Sequence, residues 1–170
     1  MTAQTTAPVA YSAEVQTWQD QVQTAVHEIR LLARRHGPGG RIPTLLELRG
    51  ELPGLSLHVI RAALQTLSRE GVLARYGRVT RVLGPDEIHP DDQALVATVR
   101  SDIEVGRYRP GYALPTGLLS YVFGHDRAET HRALRHLVQE GRLRRLCAES
   151  GPHGPGYYIS PSPDLESRQK

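Results

Sequence analysis

The stretch Asp126-Arg127-Ala128-Glu129-Thr130-His131-Arg132-Ala133-Leu134-Arg135-His136-Leu137-Val138-Gln139-Glu140-Gly141 decides how the rest of the chain is read. Asp126-x-x-Glu129 is a capping box, in which each side chain satisfies an orphan backbone N–H of a helix start. Thr130, Ala133, Leu134 and Leu137 recur at steps of three and four, so they share one face. Glu140-Gly141 ends the helix, with glycine as the left-handed cap. Two short strands are expected to follow, over 143–146 and 157–160, joined by a longer loop from Cys147 to Gly156.

The same pattern occurs earlier in the chain. Ala63-Leu64-Gln65-Thr66-Leu67-Ser68-Arg69-Glu70-Gly71 aligns with Ala133–Gly141 at an offset of 70. Pro38-Gly39-Gly40-Arg41-Ile42-Pro43-Thr44 aligns with Pro110-Gly111-Tyr112-Ala113-Leu114-Pro115-Thr116 at an offset of 72. A period near 70 exceeds the ~20–50 residues of solenoid repeats, so it marks a duplicated domain. Each copy reads as a first helix (12–36; 91–105), a short second helix (45–51; 117–123), a third helix opening at Ser56 or Asp126, and two strands. In copy one the strands are expected over 72–75 and 79–83. Ser12, Thr44, Thr116, Asp91 and Asp92 are candidate helix caps. Helix one of copy one is longer than a small domain needs. Its stripe of Val15, Trp18 and Val22 is expected to pack on copy two or to form a homodimer.

Composition narrows the class. The 170 residues are 39% hydrophobic and 23% charged, which permits a core and argues against wholesale disorder. With one Trp and one Phe, that core must be built of Leu, Val, Ile and Ala. The single cysteine, Cys147, rules out an internal disulfide framework and a four-cysteine zinc site; an inert or buried thiol is expected. No apolar run nears the ~20 residues that span a bilayer, so no membrane partner is expected. The first residues lack the basic and apolar regions of a secretory signal. A cytoplasmic, nucleoid-associated protein is the expectation. Residues 14–83 carry a net +4, 84–92 a net −4 and 93–160 a net +3. Two basic blocks around an acidic connector suit a polyanionic partner, or are ordinary solvated surface. Twenty of the 21 bases are Arg, which fits phosphate-reading guanidinium forks and equally a GC-rich genome.

Three helices and a two-stranded ribbon make a winged helix-turn-helix. The fold class expected is therefore mainly α with small β wings, as two tandem winged helix-turn-helix domains. The boundaries are a disordered lead-in over 1–11, domain one over 12–83, an acidic linker over 84–90, domain two over 91–160 and a disordered tail over 161–170. Residues 42–81 and 114–159 resemble the GntR-type DNA-binding domain. Its pattern is roughly LPS, a short helix, VSRxTVRxAL, LxxEG and a wing ending GxGxFV. Copy two offers Leu114-Pro115-Thr116, Asp126-Arg127, Arg132 one place out of register, Ala133-Leu134, Leu137, Glu140-Gly141 and Gly154-Pro155-Gly156-Tyr157-Tyr158-Ile159. Copy one offers Ile42-Pro43-Thr44, Leu55-Ser56, Ile60-Arg61, Ala63-Leu64, Leu67 and Glu70-Gly71. It departs from the pattern too. Leu46 and Leu118 stand where the family has an Arg early in helix two. Leu57 replaces the recognition-helix Arg in copy one. A second winged helix takes the place of the usual effector domain.

The resemblance implies a transcription regulator that binds double-stranded DNA, with helix three in the major groove. The residues expected on DNA are Arg127, His131, Arg132 and Arg135 of helix three in copy two, with Arg144 and Arg145 of its wing. Copy one adds Ser56, His58 and Arg61 of helix three and Arg75 and Arg78 of its wing. Thr44 and Thr116 complete the set at the starts of helix two. Copy one's stripe is the less basic, so it is expected to bind more weakly or to touch protein. Two rivals remain: a winged-helix scaffold for protein partners, and a plasmid or phage replication or partition protein. No catalytic constellation, metal-binding spacing, phosphate loop or cofactor motif emerges. His131 and His136 are five apart, on different helix faces, and are read as surface histidines.

Overall fold

Val22, Ala25, Val26, Ile29 and Ala33 are all buried on one side of a long first helix, α1, Val9–His36. The computed structural model describes residues 9–147 and 154–161, with side chains from residue 17. The helix begins three residues before Ser12, which therefore lies inside it and does not cap it. Of the expected lead-in over 1–11, residues 9–11 are already helical; residues 1–8, most of the loop after Cys147 and residues 162–170 of the expected tail lie outside the described residues. The molecule is mainly α with small antiparallel sheets. Its contacts divide it into two compact units, Met1–Gly84 and Pro85–Lys170.

In the first unit, α1 leads through β1 (Arg41–Ile42) to α2 (Leu45–Glu51) and α3 (Leu57–Arg69). The strands β2 (Leu73–Tyr76) and β3 (Val79–Val82) then form a hairpin. Thr44 caps α2 in a full capping box with Glu47, and Ser56 caps α3 by accepting from Val59 N at 3.3 Å. The Thr44 N–H, with help from its hydroxyl, holds the Glu47 carboxyl below its usual pKa. The strand β1 was not expected from the sequence. It pairs antiparallel with β3 and makes a three-stranded sheet in the order β1-β3-β2. Tyr76 pairs with Val79, so only Gly77 and Arg78 make the turn; Gly77 has φ 61°, which L-residues rarely adopt. The buried core of this unit is aliphatic throughout, as the scarcity of aromatics requires.

In the second unit, a 3₁₀ turn at Pro90–Asp92 precedes α4 (Gln93–Glu104). Then come α5 (Thr116–Phe123), α6 (Arg127–Gln139), β4 (Leu143–Leu146) and β5 (Gly156–Ile159). The Asp126–Glu129 capping box forms as expected, at 2.8 and 2.9 Å. Thr116 is not a cap: α5 starts at Thr116 itself behind Pro115. Asp92 makes no side-chain cap either, because its carboxylate is used inside the core. The acidic connector ends early. Ile88 packs on the core of this unit and His89 is buried, its Nδ1 accepting from Asp91 N.

The spans of α3 and α6, and of β2 and β4, differ by the offset of 70 found in the sequence. The Glu of each LxxEG motif pairs with an Arg at the same place on the unit's first helix, Arg30 with Glu70 and Arg100 with Glu140. The Arg100 hydrogen bonds keep the Glu140 carboxyl below its ordinary pKa. In both units the pair ties the first helix to the end of the third. Exposed pairs of this kind stabilise by only about 0–1 kcal/mol, so packing does most of the holding.

Candidate nucleic-acid interface

The two units present different surfaces between helix three and the hairpin. In the first unit this surface is a groove of 550 Å³. Arg61, Gln65 and Ser68 of α3 line one wall, and Arg75, Arg78 and Thr80 of the hairpin line the other. Arg41 and Thr44 close one end, and no acidic residue lines it. Arg75 is braced by its own turn, its Nε donating to Gly77 O at 2.9 Å. Arg81 lies over the Tyr76 ring, 5.8 Å from the centroid. Ser56 and His58 are exposed at the start of α3. Arg41 was missed from the sequence because it fell between motif positions in Gly39-Gly40-Arg41-Ile42. Strand β1 brings it beside the hairpin.

In the second unit, Arg127 opens α6 and is exposed, as are Arg135 of the same helix and Arg144 and Arg145 of β4. His131 is half-buried. Its Nδ1 lies 2.9 Å from the Tyr157 hydroxyl, and its Nε2 is 3.5 Å from Arg127 Nε. Burial, then the charges of Arg145 and Arg127, lowers the His131 pKa. The contact with Tyr157 occupies the Nδ1 side of the ring, which is then not open to a base or phosphate. Arg142, at the foot of the hairpin, is tied to Glu104 and Glu140 at 2.8 and 3.2 Å.

Arg132 must be removed from the expected DNA-binding set. Its guanidinium is buried and gives Nε to Asp92 Oδ2 and Nη2 to Asp92 Oδ1, both at 2.7 Å. His125 Nε2 adds a contact to Asp92 Oδ1 at 3.2 Å. Burial alone would lower the Arg132 pKa, but the Asp92 hydrogen bonds and charge carry it above its usual value. Arg132 thus belongs to the core face of α6, one residue beside Ala133. His136 is likewise buried, against the expectation of surface histidines, and burial lowers its pKa. Thr116 is half-buried. Cys147 is exposed, so of the two states expected for its thiol, inert or buried, the buried one does not hold.

Leu46 and Leu118, at the helix-two position where the resemblance implies an arginine, are 72% and 60% exposed. On α5, Leu118 is joined by Tyr121 and Val122, also exposed. Among the described residues no helix is long and apolar enough to cross a membrane, and no group of His, Cys, Asp and Glu could hold a metal ion.

No protein-family model matches the chain, and no curated protein matches it. Among solved structures it is similar to the transcriptional antiterminator from Listeria monocytogenes EGD-e, at 17% identity and a TM-score of 0.32. That likeness covers 82% of this chain and 90% of that one.

Proposed function

We propose that the chain is a transcription regulator that binds double-stranded DNA through two winged helix-turn-helix units of GntR type. The observation that carries this is the placement of exposed arginines on helix three and the adjoining hairpin in both units. Arg61, Arg75 and Arg78 stand there in the first unit, and Arg127, Arg135, Arg144 and Arg145 in the second. A guanidinium at the start of helix three can fork onto guanine O6 and N7, whereas hairpin arginines suit phosphates. Arg127 is the residue best placed to read sequence.

The test is a gel-shift comparison on a selected duplex and a scrambled one. Arg127→Ala is expected to erase the preference for the selected duplex, a loss of about 1–3 kcal/mol of discrimination. Arg78→Ala is expected to weaken both duplexes alike. Full selectivity in Arg127→Ala, with loss in Arg61→Ala, would move the reading head to the first unit.

A homodimer through α1 belongs to the same proposal. Val22 is used by the core of the first unit, but Trp18 stays 48% exposed and free to meet a second copy. Because Trp18 is the sole tryptophan, its emission should shift to longer wavelength on dilution, with a matching fall in sedimenting mass. An emission maximum that ignores concentration rules the dimer out.

One observation favours a second reading, a scaffold for protein partners: α5 carries no charged residue and turns Leu118, Tyr121 and Val122 outward. Such a scaffold would not show the salt response of a DNA-binding protein.

A further inference from the structure

The groove of the first unit has a feature that duplex DNA would not use. Beside its arginines the lining includes Ile42, Leu64, Leu73 and Val79, of which Leu64 and Val79 are only half-buried. Ile42 and Leu73 are 1% exposed. Phosphates of a duplex need exposed guanidinium groups and nothing hydrophobic beneath them. A concavity of 550 Å³ with a few convergent polar groups is instead within the ~300–1,000 Å³ range of small-ligand clefts.

The second unit shows what fits in that place. Thr80 stands opposite Arg75 in the first hairpin. Tyr157 stands opposite Arg145 in the second, and Arg145 is the counterpart of Arg75 at the offset of 70. Arg61 on α3 has His131 as its counterpart on α6 by the same offset. Tyr157 is 3% exposed, and its ring lies 5.4 Å from that of His131, with the hydroxyl on Nδ1. Unit two therefore fills the niche between helix three and hairpin with an aromatic ring carrying a polar group that meets helix three. Unit one has a threonine there, leaves the space open and places an arginine where that polar group would be met.

We propose that this groove binds a nucleoside phosphate. The planar base lies on Leu64 and Val79, both half-buried, in the place that the Tyr157 ring takes in the second unit. The phosphate is held by Arg61 with Arg75 and Arg78, whose forks match phosphate oxygens. Arg41, Thr44, Gln65, Ser68 and Thr80 are the other polar side chains that line the groove. Binding of this ligand does not depend on the DNA reading. Its regulatory consequence does: nucleotide and duplex would share Arg61, Arg75 and Arg78, so each would displace the other.

The test is calorimetric titration of the full chain with AMP, GMP, CMP and UMP, with inorganic phosphate and adenosine as controls. At least one mononucleotide is expected to bind at least tenfold more tightly than either control. Thr80→Tyr, which copies the second unit, is expected to weaken that nucleotide at least tenfold while its circular dichroism and urea midpoint stay those of the wild type. If Thr80→Tyr fails to fold, Arg61→Gln on the exposed face of α3 serves instead and should weaken the nucleotide at least fivefold. Equal binding of nucleotide and inorganic phosphate, or a folded Thr80→Tyr that binds nucleotide like the wild type, overturns the proposal. Duplex binding without nucleotide binding sinks only this proposal. Nucleotide binding without duplex binding sinks only the DNA reading.

Discussion

Asp92→Ala is expected to cost the second unit about 3–5 kcal/mol, the penalty for leaving a buried guanidinium without its carboxylate. The Asp92 side chain is fully buried and that of Arg132 is 6% exposed, so water cannot replace the two lost hydrogen bonds. A loss of that size is a large part of the stability of a small domain, whose total is about 5–15 kcal/mol. The two units can be followed separately during urea unfolding. Trp18 fluorescence reports the first unit, where the only tryptophan lies, and circular dichroism reports the helices of both. In Asp92→Ala an early dichroic transition should appear while the fluorescence midpoint stays where it was. Combining Asp92→Leu with Arg132→Met should recover most of the loss, because an apolar pair of similar volume needs no hydrogen bonds. An unmoved dichroic midpoint in Asp92→Ala would mean that the pair does not hold α4 to α6.

Affinity for duplex DNA should fall about a thousandfold between 50 and 200 mM salt. Six phosphate contacts, fewer than the exposed arginines on the two helix–hairpin faces, give a slope of roughly −5 in log K against log salt. The arithmetic is steep because each neutralised phosphate releases condensed counterions into a more concentrated bath. The measurement is a fluorescence anisotropy titration at four or five salt concentrations. Removing one hairpin arginine, Arg78, should flatten the slope by about one. A slope near zero would dismiss the DNA reading and leave the exposed apolar face of α5 as the feature to explain.

The fold was legible because helix periodicity and glycine stops are local signals that the duplication supplied twice, and the Asp126–Glu129 capping box marked the start of α6. The spans of α2 and β4 match the expected ones, and the other element boundaries differ by only a few residues. The candidate site was harder. Reading α6 as a polar stripe put Arg132 outside, since nothing local tells a guanidinium that meets water from one that meets a carboxylate 40 residues away. The repeat held the missing signal. At the offset of 70, Arg132 and Asp92 replace Ala62 and Val22, so a charged pair stands where the other copy has an apolar one. Arg30 and Arg100 were aligned in the same way, and with Glu70 and Glu140 they would have revealed the tie between first and third helices. Strand β1 has two residues, too few for any periodicity, so neither it nor Arg41 could be placed.

A chain that carries two such similar units runs a risk while it folds, because a helix can settle in the wrong core. The apolar faces of α1 and α4 are near copies: Ala25, Val26 and Ile29 correspond to Leu95, Val96 and Val99. Were α1 to take the place of α4, Val22 would meet Arg132 and a bare positive charge would be sealed in. Were α4 to take the place of α1, Asp92 would fall where Val22 is buried, in a core made of aliphatic side chains. Both exchanges are penalised by the cost of an unpaired buried charge, and only the correct assembly escapes it. The Asp92–Arg132 pair thus works as an address that sends each first helix to its own half of the chain.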